Sequence, residues 1–118
     1  MTTSKETVIG LVGVCASGKT TLGARLRARG YKIKHIAQEH SFVKDMWKRI
    51  ANPDLLVFLD VSFETAMQRR RLDWNPGDYA EQQRRLEHAR QHADLYIQTD
   101  ALTAEEVEAE VIAFLEGI

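Results

Sequence analysis

Residues 13–20 read GVCASGKT, between an apolar, β-branched run at 7–12 and a segment with Leu22 and Leu26 at helical spacing. The stretch fits G-x-x-x-x-G-K-[ST] without a mismatch, in the strand-to-helix context the pattern requires. Nothing else in the chain restricts its fold as much. An uninterrupted apolar run suits a parallel strand covered on both faces. Glycines let the backbone after it curl until its N–H groups converge on phosphate oxygens, and the next helix adds partial positive charge at its N-terminus. Lys19 is then expected at the β- and γ-phosphates of a nucleoside triphosphate, and the Thr20 hydroxyl on Mg2+. Gly13, Ala16, Ser17, Gly18 and Thr21 complete the cradle. A simple tight turn would account for the glycines but not for the lysine–threonine pair behind them.

The remaining sequence alternates strands and helices. Gly30 closes the first helix, 19–29, and a second strand is expected at 31–37, diluted by Lys32, Lys34 and His35. Ser41 is expected to cap a short helix reaching residue 50, with Phe42, Met46 and Ile50 on one face and Asn52-Pro53 as its stop. LLVFLDV at 55–61 is the next buried strand. A helix over 63–74 runs to the Asn75-Pro76-Gly77 turn, and Asp78 is expected to cap another over 79–92. A last strand is placed at 95–98. Thr103 and Glu106 form a capping box for a final helix carrying Val107, Val111 and Leu115 on one stripe. This order predicts one α/β domain over residues 1–118, a three-layer sandwich with about four parallel strands between helices.

Composition narrows the function. A chain of 118 residues, 44% hydrophobic and 28% charged, suits one globular core and leaves little room for a second. The net charge of −1 hides an asymmetry: residues 1–60 carry ten Lys/Arg against five Asp/Glu, and residues 61–118 six against twelve. An anionic ligand is therefore expected near the first half, although the same cations also suit a solvated helix end. No broad basic and aromatic surface points to nucleic acid. With Cys15 as the only cysteine, no disulfide within the chain or multi-cysteine zinc site can form, and a cytoplasmic setting is expected. Cys15 itself reads as a small loop residue rather than a redox sensor. No apolar run approaches the ~20 residues of a membrane span. His88 and His92 have zinc-like spacing but no evident third ligand, so a solvated helix face is expected there. For Trp47 and Trp74, packing is expected ahead of base stacking.

From the glycine loop to its end the chain resembles small P-loop kinases such as thymidylate, shikimate and gluconate kinases. The matching segments are GVCASGKTTL, PDLLVFLDVSFETAMQRRR and ADLYIQTDALTAEEV. The resemblance implies a P-loop NTPase type of fold, ATP and Mg2+ as cofactors, and a mobile lid whose arginines, here Arg69, Arg70 and Arg71, stabilise phosphoryl charge. Three consecutive helical positions spread through ~200°, so all three cannot face one ligand. Arg84, Arg85 and Arg90 read as surface. The family has five strands in the order 2-3-1-4-5. If the third is missing here, the order becomes 2-1-3-4 in this chain's own count, and strand two lies directly beside strand one. Asp60 then has two readings, a metal-binding Walker B aspartate or the acid that opens the lid helix. Glu39, in the polar stretch Gln38-Glu39-His40, matches the family's carboxylate beyond strand two, which orients or deprotonates the phosphoryl acceptor.

Three functions follow. The first is an ATP- and Mg2+-dependent phosphotransferase acting on a small molecule, with Lys19, Glu39, Arg69 and Arg70 at the reaction. The second is a nucleotide-binding or slowly hydrolysing module that regulates a partner. The third is a kinase site completed by dimerisation, so monomer and homodimer both stay open. A GTPase is disfavoured, because no D-x-x-G follows the loop and no N-K-x-D reads guanine.

Overall fold

The computed structural model describes residues 4–70 and 74–117, with Arg70 described by its backbone alone. Four strands, β1 (Val8–Gly13), β2 (Lys32–His35), β3 (Leu55–Asp60) and β4 (Leu95–Gln98), form one parallel sheet in the order β2-β1-β3-β4. Four α-helices accompany it: α1 (Lys19–Ala28), α2 (Phe63–Arg70), α3 (Pro76–His92) and α4 (Ala104–Glu116).

The pleat sorts the apolar side chains into two cores. Ile9, Leu11, Val57 and Leu59 point to one face and pack on Leu22 and Leu26 of α1 and Val107, Val111 and Leu115 of α4. Val12, Leu56 and Phe58 point to the other and pack on Ala66 of α2 and Leu86 and Ala89 of α3. Helices thus cover both faces, which is why β1 and β3 are nearly continuous in apolar residues. Each fully buried leucine contributes roughly 1.5–3 kcal/mol relative to exposure. Arg25 of α1 and Arg29, the residue that caps its C-terminus, bond Glu108 of α4, and Arg25 also reaches Glu105, tying the two helices along their outer edge.

The segment after β2 departs from the expected helix at 41–50. Residues Gln38–His40 make a 3-10 turn and Trp47–Ala51 a single π-turn. Phe42 and Ile50, expected on a buried face, are 86% and 76% exposed, whereas Trp47 is buried. The cause is tertiary. Gln38 is fully buried; its Oε1 accepts from the Trp47 amide at 2.9 Å, and its Nε2 donates to the Val43 carbonyl at 2.8 Å. Ser41 accepts from the Val43 amide two residues on, a local turn instead of a helix cap. Asn52, in the left-handed region at φ 41°, then ends the π-turn.

Two boundaries also shift. The cap of α3 is Asn75, not Asp78: Asn75 accepts from the Asp78 amide and Asp78 accepts from the Asn75 amide, with Pro76 at the first helical position. The helix expected over 63–74 is observed through Arg70, residues 71–73 lie outside the described set, and Trp74 is not helical. The Thr103–Glu106 capping box opens α4 as expected.

Candidate functional site

β1 ends where only glycine fits. A Cβ on Gly13 would lie 2.0 Å from the Leu59 carbonyl oxygen of the neighbouring strand. Gly18 has φ +101° and caps α1 without any side-chain hydrogen bond, and no acidic residue sits in the first turn. Ala16 also holds a positive φ, 69°, an unfavourable backbone state of order 1 kcal/mol for a residue with a Cβ. The loop therefore delivers an uncapped helix N-terminus, with its unsatisfied N–H groups and partial positive charge, to one place.

That place is a cavity of about 720 Å³. Residues 15–22 form its floor, and residues 35–37 with Glu39 and His40, beyond β2, line one side. The opposite side is Arg69 with residues 99 and 102–104, beyond β4. Because β2 and β4 flank the central pair, their C-terminal ends fall on opposite sides of the loop, the position where open parallel sheets take ligands.

Lys19 lies across the floor. Its Nζ donates to the Gly13 carbonyl at 2.6 Å and forms a short ion pair with Glu39 Oε2. Glu39 is 5% exposed and is the only carboxylate among the lining residues. Its second oxygen, Oε1, and the Ser17 hydroxyl are buried with no hydrogen-bond partner among the described residues. Thr20 and Thr21 are exposed to the cavity. The floor thus offers a primary ammonium and an open helix end to an anion, and, as oxygen donors, three hydroxyl side chains and an unpartnered carboxylate oxygen. That donor set suits a phosphate-bound hard cation, which takes oxygen ligands.

Arg69 reaches the cavity by bridging its walls: it donates to the Thr99 carbonyl at 2.6 Å, to Thr99 Oγ1 at 3.0 Å and to the Ala16 carbonyl at 3.2 Å. The Arg70 side chain and Arg71 lie outside the described residues. His35 packs its ring over Gly23, where a Cβ would come within 2.4 Å of its Nε2. Burial, reinforced by the cations of Arg27 and Lys19, pushes its pKa below the ordinary histidine value.

Asp60 is turned elsewhere. Residues 56, 58 and 60 of β3 share the face toward α3, and side chains of α3 and β4 hold the carboxylate there. Its Oδ2 accepts from Tyr96 at 2.5 Å and lies 3.5 Å from Arg90; its Oδ1 accepts from Gln83 and the Val61 amide. It is not among the residues lining the cavity. Burial, then its hydrogen bond to this carboxylate, push the Tyr96 phenol up to about 12. Arg84 and Arg85 pair with Glu81, and Arg85 also donates to the Glu39 carbonyl at 3.3 Å from behind the cavity wall, which neither arginine lines. Trp47 donates to His88, and His88 stacks on His92, so these rings pack together. Trp74 packs edge-on against Tyr79.

Sequence reasoning missed His35, Thr99 and Leu102. Thr99 carried a usable signal, as the first residue beyond β4 at the same sheet end as the loop; His35 did not, because its role depends on α1 packing over it. Comparison of the sequence with models of known protein families and with curated proteins finds no match.

Proposed function

We propose that this chain is an ATP-binding, Mg2+-dependent phosphotransferase of the P-loop type, acting on a small-molecule acceptor. The observation that carries the reading is Lys19, laid across an uncapped helix end and aimed at Glu39, the one carboxylate among the described residues that line the cavity. The loop amides and the helix terminus bind the phosphates. Lys19 exchanges its pairing with Glu39 for phosphate oxygen, retaining a positive charge where negative charge builds up in transfer. Arg69, held between the loop and Thr99, adds a second cation at the other wall. Thr20, Ser17 and Glu39 would be the oxygen donors holding Mg2+, which when bound would supply neutralisation of phosphate charge.

Released from Lys19, the Glu39 carboxylate accepts a hydrogen bond from the acceptor hydroxyl and takes its proton. The acceptor oxygen forms its bond to the γ-phosphorus as the bond to the β–γ bridging oxygen breaks, and ADP carries that electron pair away. A coupled ADP-release assay across nucleosides, nucleotides, sugars and small acids tests the proposal. Release dependent on one acceptor class supports it.

One observation favours a second reading, a nucleotide-binding module that regulates a partner. Among the described residues a single lining carboxylate would have to serve both the metal and the acceptor, because Asp60 is committed to Tyr96 and Gln83. ATP binding with no ADP release under any acceptor would decide for that reading.

A further inference from the structure

Cys15 of the glycine loop and the turn Gln38–His40 come together because β1 and β2 are neighbours. The Cys15 Sγ lies 3.7 Å from His40 Nε2, which in turn lies 3.9 Å from Glu39 Oε2. One ligand atom from each residue falls within 4.8 Å of the other two. In a tetrahedral zinc site, bonds of about 2.0–2.3 Å place ligand atoms roughly 3.3–3.6 Å apart, so small side-chain movements close the set. Thiolate and imidazole select a borderline-soft divalent cation over Mg2+, and carboxylate serves either.

The independent observation is Glu39. It is 5% exposed, and its Oε1 is buried without a partner while Oε2 holds Lys19. A buried carboxylate oxygen left unsatisfied is costly and calls for a donor or a cation. Oε2 is the oxygen 3.9 Å from His40 and also the one that holds Lys19, so a cation takes Oε2 as Lys19 moves to the unpartnered Oε1. His40 is the exposed member, its side chain 60% accessible, so a route from solvent exists.

We propose that Cys15, Glu39 and His40 form a binding site for a zinc-class divalent cation. The site shares Glu39 and the glycine loop with the nucleotide reading, but its test uses the metal alone and so fails or succeeds separately. On binding, the Cys15 S–H bond breaks, its proton passes to the buffer, a sulfur–metal bond forms, and no electrons are exchanged. The fourth position belongs to water.

The test is titration of the reduced protein with Co2+ alone, without nucleotide. One equivalent should produce a sulfur-to-cobalt charge-transfer band and the strong visible bands of four-coordinate Co2+, release one proton, and be displaced by Zn2+. Cys15→Ser should abolish the charge-transfer band. His40→Ala, an exposed change that does not threaten folding, and Glu39→Gln should each weaken binding at least about tenfold, the smallest effect seen even for outer-shell partners. Circular dichroism verifies that each variant is folded. Absence of the band in the wild type, or unchanged binding in folded His40→Ala or Glu39→Gln, overturns the proposal.

Discussion

Glu39 and Lys19 hold each other where little water reaches, 7% and 12% exposed in their side chains. Such a pair owes less to net stability than to position, since desolvation offsets much of its attraction. Glu39→Gln keeps the shape and removes the charge. In the acceptor-dependent assay it should lower turnover by about a hundredfold, ~2.7 kcal/mol of barrier, with a far smaller change in ATP affinity. Asp60→Asn should leave turnover within a few-fold, because Asp60 bonds Tyr96 and Gln83 away from the cavity. A dead Asp60→Asn beside a normal Glu39→Gln would restore the Walker B reading. Tyr96 gives the same residue a pH signature. A phenol whose folded pKa is raised to about 12 contributes stability that is complete below its unfolded pKa of about 10 and is lost as pH rises through the folded value. The stability gap between wild type and Tyr96→Phe, measured by urea unfolding, should be flat near neutrality and shrink above about pH 10. A constant gap into alkali would show that burial and Asp60 do not hold the Tyr96 phenol above its ordinary value.

Among the elements, the β1–loop–α1 unit is the most tightly specified. Gly13→Ala places a methyl group 2.0 Å from the Leu59 carbonyl, which belongs to a paired strand and cannot swing aside. It should cost at least ~2 kcal/mol, read as a lower urea midpoint with an unchanged slope; a midpoint equal to wild type would contradict the β1–β3 packing. The elements that were legible in the sequence explain themselves locally: β1 and β3 are nearly continuous in apolar residues, and Thr103 with Glu106 caps α4 by its own side chains. The stretch 41–50 was not legible, because Gln38 organises it from outside through bonds no periodicity encodes. Asp78 was mistaken for the α3 cap because Asn75 and Asp78 cap reciprocally, and only geometry shows which one precedes the helix. In the site, the loop was legible from its spacing, and Glu39 from the expectation that strand two adjoins strand one. The direction of Asp60 was not, because one step of pleat at the end of β3 decides it.

At the scale of the whole molecule, the strand order β2-β1-β3-β4 puts the ends of β2 and β4 on either side of the loop, so one cavity carries Glu39 on one wall and Arg69 on the other. No described helix is long and apolar enough to cross a membrane. The central claim is that this cavity takes a triphosphate through Lys19. Replacing Lys19 alone would leave Glu39 buried and uncompensated, at a cost of about 3–5 kcal/mol for a broken buried pair, and would confuse binding with folding. The informative variant is Lys19→Ala combined with Glu39→Gln, compared with Glu39→Gln alone. Isothermal titration with Mg2+ and ATP should show one site in the wild type and in Glu39→Gln, and no measurable heat of binding in the folded double variant. No binding by the wild type, or equal affinity in the double variant, would contradict the assignment of residues 13–20 as a phosphate-binding loop.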